Sequence, residues 1–206
     1  MAVLGRLRDE LHACVGASGV GREVILYTRA DTSRRKWYRP NALRVADAIA
    51  AAVSHRVPVR VVDKMPWAFD EQVRLFANAS ALVMPHGAAS TNAIALPVGA
   101  IFIELCPGAT SWLTHTNLSR RLSAHFFGEV LLPPVTNFLD DQGRPFQVRS
   151  DFDVKNPPQI EVHPQAVVRR LLSAGLIGAP PSAALQYSIL ASERTSFARA
   201  RGSGAG

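Results

Sequence analysis

Short apolar runs, set at intervals along the chain, constrain its fold more than any other feature. Val24-Ile25-Leu26-Tyr27-Thr28, Val57-Pro58-Val59-Arg60-Val61-Val62, Ser80 to Met84 and Ile101 to Leu105 are each of strand length. A helix-compatible segment separates each run from the next. Strands of this length alternating with helices mean βαβ units, and the near-continuous apolar character means a parallel sheet covered on both faces. The expected fold class is therefore α/β. Pro58 removes a backbone donor, so the run holding it is expected at its strand's beginning or at a sheet edge.

The intervening segments supply the helices. Leu4, Leu7, Leu11 and Cys14 recur at helical spacing, and Gly16, Gly19 and Gly21 make the turn that follows. Pro40 suits the first turn of a second helix, whose buried stripe is expected to be Leu43, Ala46, Ala50 and Val53. Asp70 to Asn78 forms a third, with Val73, Phe76 and Ala77 inward, and a short helix from about Ser90 to Leu96 is stopped by Pro97 and Gly99. Further on, Phe126 to Leu132 reads as one more strand and Asn137 to Pro158 as a long loop. Pro164 to Leu176 reads as a helix with Val167, Val168, Leu171 and Leu172 inside. One domain is expected over residues 1–179. The Ala/Ser/Arg/Gly-rich residues 180–206 are expected to be a disordered tail.

Composition excludes several classes of protein. No apolar run is long enough to span a bilayer, and the start, Met1 to Arg6, has no signal-like apolar core. The net charge of +7 invites a nucleic-acid partner, but only Lys36, Lys64 and Lys155 are lysines. GC-rich coding alone produces such an arginine excess, and no recognition motif accompanies it. Nucleic acid is thus not the expected partner. Cys14 and Cys106 lie far apart without metal-ligand spacing, so no metal site is expected.

Three features can carry chemistry. Pro85-His86-Gly87-Ala88 follows a buried strand and opens a helix, a place where backbone N–H groups favour an anion such as a pyrophosphate. His86 there can donate to a phosphate oxygen or a sugar hydroxyl; a plain glycine turn with a surface histidine fits the same residues. Glu104 interrupts an apolar strand at its carboxyl end, where a carboxylate can accept ribose hydroxyls or simply point to solvent. Arg29 ends the first strand, with Arg34, Arg35 and Arg39 in the loop beyond. Guanidinium forks bind phosphate bidentately, and a solvated basic loop is the alternative.

Taken in order, Arg29, Arg39, Asn41, Glu71-Gln72, His86-Gly87-Ala88, Asn92 and Glu104 resemble the catalytic region of family 61 glycosyltransferases over about Leu4 to Pro107. The chain departs from the family pattern at Met84, where glycine is usual, at Ala89, and at Ala42, where an acidic residue is usual. The resemblance implies a Rossmann-like domain forming the carboxyl-terminal half of a GT-B enzyme, with a missing amino-terminal half holding most of the acceptor and the general base. It implies an inverting transferase with a UDP-sugar donor such as xylose, arabinose or N-acetylglucosamine, a glycan or glycoprotein acceptor, and no other cofactor. It further implies a donor site of Arg29, Arg39, Glu71, Gln72, His86, Gly87, Ala88, Asn92 and Glu104, with His86 catalytic. Family members act in the Golgi or endoplasmic reticulum. A noncatalytic nucleotide-sugar-binding module is the alternative.

Overall fold

The computed structural model describes residues 2–53, 56–105, 130–131, 135–150, 153 and 157–176. In chain order its elements are α1 (Ala2–Val15), β1 (Glu23–Tyr27), β2 (Lys36–Trp37), α2 (Arg39–Ala52), β3 (Val59–Val62), α3 (Phe69–Ala77) and β4 (Ala79–Pro85). A 3-10 helix (Ala88–Ala95), β5 (Ile101–Leu105), β6 (Val130–Leu131), β7 (Val135–Leu139), β8 (Gln159–Val162) and α4 (Pro164–Ser173) follow. Cys106, the residues expected to form a strand before Val130, Asp151-Phe152 and the tail all lie outside the described residues.

The main sheet is parallel, in the order β3-β1-β4-β5-β6. Counted as they enter this sheet, the strands run 2-1-3-4-5, a doubly wound, Rossmann-like order. β3 begins directly after Pro58 and lies at the sheet edge, so both expected placements hold. The chain leaves β1 toward β3 and returns to its other side as β4. Open sheets of this order bind ligands at such a switch point, here at the carboxyl ends of β1 and β4.

Strand alternation divides the core in two. Val24, Leu26, Val83, Ile101 and Ile103 pack with Val45 and Ile49 of α2, Val167 and Leu171 of α4, and Ile160 of β8. Ile25, Tyr27, Leu82, Met84 and Phe102 face the opposite way, against Val73 and Phe76 of α3 and partly buried Leu4 and Leu11 of α1. Both faces are covered, which explains why the central strands carry almost no polar residue.

Polar anchors shift two helices from their expected faces. On α2 the buried residues are Asn41, Ala42, Val45 and Ile49, followed by Val53, while Leu43 is 39% exposed. Asn41 turns inward because its amide is fully used. Its Oδ1 accepts from Trp37 Nε1 at 2.8 Å and from the Val162 N–H at 3.0 Å, and its Nδ2 donates to the Val162 carbonyl at 2.9 Å. On α1, Leu7 and Cys14 are exposed, while Arg8 and His12 are buried. His12 Nε2 donates to the Ala95 carbonyl at 2.7 Å, an acceptor invisible to periodicity.

The region expected to be a loop from Asn137 to Pro158 contains more order than that. β7 pairs antiparallel with β8, and β8 pairs parallel with β2, making a second, three-stranded sheet. Asp140 and Asp141 sit in the turn after β7, consistent with their reading as loop residues. Asp140 Oδ1 accepts the N–H groups of Gln142 and Arg144, each at 2.9 Å, and these bonds with the Arg144 guanidinium hold its carboxyl below the usual range.

Asn41 joins this second sheet to the first turn of α2. Asn41→Ala would leave the Trp37 indole N–H and both Val162 backbone groups unpaired. At about 1–3 kcal/mol for each buried group left unsatisfied, a loss of about 3 kcal/mol or more is expected. A denaturant midpoint unchanged from the parent protein would contradict this role.

Candidate functional site

The switch point is built from the last residues of β1, β4 and β5. β4 is buried through Pro85, and pairing with β5 continues past its end, because the His86 N–H donates to the Leu105 carbonyl at 3.0 Å. His86 is itself fully buried, as is Glu104. His86 Nδ1 and Glu104 Oε1 are 2.8 Å apart. Glu104 occupies a strand position on the same side as Phe102, in register with Met84. The alternatives of a surface histidine and a solvent-pointing glutamate are therefore both excluded by burial.

Arg29 reaches the same turn from β1. It is held in the left-handed backbone region at φ 58°, unusual for a residue other than glycine, and its Nη1 donates to the His86 carbonyl. Burial pulls the guanidinium below its ordinary pKa, opposed by the negative charges of its neighbours, Glu104 among them. On the same strand, burial and then Asp31 push the Tyr27 phenol upward, and its OH donates to Asp31 Oδ1 at 3.1 Å.

Gly87 leaves room for a neighbour not visible in the sequence. A Cβ at this position would fall on Arg29 Nη1 and lie 2.7 Å from Cζ. The space expected for a ligand's approach holds the guanidinium. After Gly87 the chain enters the 3-10 helix at exposed Ala88, two residues before the expected helix start. Ser90 braces the turn, donating to the Gly87 carbonyl from both N–H (2.9 Å) and Oγ (2.7 Å).

The remaining expected residues occupy other places. Gln72 and Asn92 meet each other, Asn92 Nδ2 donating to Gln72 Oε1 at 2.6 Å, while Gln72 Nε2 donates to the Pro66 carbonyl at 2.7 Å. They tie α3 to the 3-10 helix. Arg39 is exposed and donates to Asp63 Oδ2 at 2.8 Å. Asp63 Oδ1 in turn accepts from buried Thr28 at 3.0 Å, so Arg39 sits on the β3 side of β1. Asn41, part of the resemblance, is the internal anchor described above. Glu71 lies on exposed surface and lines a hollow of about 620 Å3 with Glu23, Arg60 and Arg74; none of Arg29, His86 and Glu104 lines it.

Sequence reasoning did not find Thr28 and Asp63. The available signal was the placement of both at strand ends, Thr28 directly before Arg29 and Asp63 directly after Val62. It also did not pair Gln72 with Asn92, which stand 20 residues apart on different helices.

Residues 2–103 match the profile of the family described as Glycosyltransferase 61. No curated protein matches the chain. The matched stretch holds Arg29 and the whole His86 turn and ends one residue before Glu104.

The packing of Arg29 against Gly87 is open to direct test. Gly87→Ala should cost about 1–3 kcal/mol, as overpacking usually does. In an Arg29→Ala background the same substitution should cost clearly less, because neighbours in contact do not add. Equal costs in the two backgrounds, by chemical denaturation, would show that the guanidinium does not fill that space.

Proposed function

Residues 2–103 belong to the glycosyltransferase 61 family, and from that premise we propose that this region binds the donor for an inverting sugar transfer from a UDP-sugar to a hydroxyl of a glycan or protein. The observation that carries the proposal is the meeting of Arg29 with the His86-Gly87 turn at the switch point of the sheet. Open α/β folds bind ligands at such a switch point. A cation and a helix start placed together there suit a diphosphate.

In this reading the acceptor oxygen attacks the anomeric carbon as the bond from that carbon to the diphosphate oxygen breaks. Negative charge grows on the leaving diphosphate. Arg29, His86 and the first N–H groups of the 3-10 helix, from Ala88 onward, are placed to stabilise it without reorganising. Gln72 and Asn92 act by holding that helix on α3, and Arg39 and Asp63 by fixing the end of β1. The acceptor's proton passes to a base in a second α/β half of a GT-B arrangement, in the lumen of the secretory pathway. No helix among the described residues is long and apolar enough to cross a membrane.

The basic charge does not redirect this reading toward nucleic acid. Lys36, Arg39, Arg44, Arg74 and Arg144 each pair with a carboxylate, respectively Asp141, Asp63, Glu161, Asp70 and Asp140. A basic face made for phosphate backbones leaves its cations available.

UDP titration by calorimetry tests the proposal. His86→Ala and Arg29→Ala should each weaken UDP by about 1.5–3 kcal/mol, the worth of a hydrogen bond involving a charged group. His163→Ala, at an exposed position away from the switch point, should leave binding unchanged. Equal affinity in all four proteins, or no UDP binding by the parent, would overturn the donor-site reading. Tight UDP binding by the parent with no transfer, even when a GT-B partner half is supplied, would favour the noncatalytic module.

A further inference from the structure

His86 and Glu104 form a buried pair inside an otherwise apolar sheet, and such a pair persists only where its hydrogen bonds are made. We infer that Glu104 is a positioning residue: it accepts the Nδ1–H of His86 and so fixes the tautomer and the orientation of the ring at the end of β4. The consequence for the ligand rests on the donor-site reading; the state of the ring does not.

Three observations carry this. Nδ1 and Oε1 stand 2.8 Å apart, hydrogen-bond distance for an imidazole N–H facing a carboxylate oxygen. Placement is the second. Glu104 lies on β5 and His86 just beyond β4, so the bond crosses between adjacent strands. It is made by two fully buried residues at the carboxyl ends of adjacent strands, while Arg29 holds the backbone of the same turn. The third concerns ribose. A carboxylate that takes two ribose hydroxyls uses both oxygens, and here Oε1 is committed to His86. Only Oε2, which has no hydrogen-bond partner among the described residues, remains. Both ribose hydroxyls would then have to share Oε2 or crowd onto the oxygen that already accepts from His86.

A histidine whose far nitrogen is tied to a carboxylate is restricted in tautomer and in ring orientation together. Without Glu104 the ring would rotate within its pocket and present either nitrogen. The His86 contact with phosphate would then be lost although the residue remained. The ribose role and the positioning role therefore predict different ligand dependence.

Uridine, inorganic pyrophosphate and UDP, titrated into the full chain, separate the two roles. In E104A, pyrophosphate and UDP should weaken alike, by about tenfold, the size of one buried hydrogen bond to a charged group, with uridine unaffected. E104Q keeps an acceptor oxygen and should restore most of the loss. H86A/E104A should bind pyrophosphate no more weakly than H86A alone. Loss confined to uridine and UDP, or a further loss in the H86A background, would overturn the inference. A ligand-free reading stands beside these: 15N spectra of the unsubstituted protein should show the His86 proton on Nδ1. A proton on Nε2 alone would overturn the inference whether or not E104A folds. Should the parent bind neither UDP nor pyrophosphate, the donor-site reading fails, and the spectrum still decides what Glu104 does.

Discussion

The hydrogen bond between His86 and Glu104 is the interaction on which the switch point depends. A carboxylate placed in the interior of a parallel sheet is costly unless it is paired and hydrogen-bonded. Here the partner comes from the next strand, and the bond closes the gap between the ends of β4 and β5. Arg29 closes the other gap, from β1 to β4, by donating to the His86 carbonyl. One residue thus receives support from both neighbouring strands, through its ring on one side and its backbone on the other. The apolar remainder of the sheet can vary in volume, within packing limits, without moving this point.

A second polar hub works at a distance from the first. Asn41 links the opening of α2 to Trp37 and to β8, and so fixes where the small sheet lies against the main core. Both hubs share one trait: the buried polar side chain bonds to elements other than its own. Such contacts set geometry more tightly than apolar burial does, since a hydrogen bond is directional and a hydrophobic contact is not.

This trait also explains how far the sequence could be read. The main strands were legible because they are buried on both faces, and burial leaves a continuous apolar signal; Ile101–Leu105 and α3 fall where the pattern puts them. The stripe on α2 was read one position off, since a helix with Asn41 turned inward breaks the assumption that polar residues face water. β2 and β8 escaped because they pair across more than 100 residues, as between Lys36 and Gln159, while β7, whose partner is the nearby β8, was read largely as part of the polar loop. In the site, residue identities were legible and their relations were not. Arg29, His86 and Glu104 stood out as polar residues at strand ends, while the sequence could not say that they would hold one another. Nor could it say that Gln72 and Asn92 would bond to each other.

One consequence concerns assembly rather than chemistry. Side chains along a strand alternate faces, so sliding β5 by a single residue past β4 would carry Glu104 from its own side to the other. There it would meet Leu26, Val83 and their neighbours, with nothing to accept or neutralise it. The apolar residues of β5 are similar enough that packing alone would discriminate poorly between the two alignments: Ile101 and Ile103 would exchange with Phe102 at modest cost in buried area. The acidic residue makes the wrong alignment expensive and the right one self-consistent. A strand that reads as nearly featureless thereby carries its own proofreading mark.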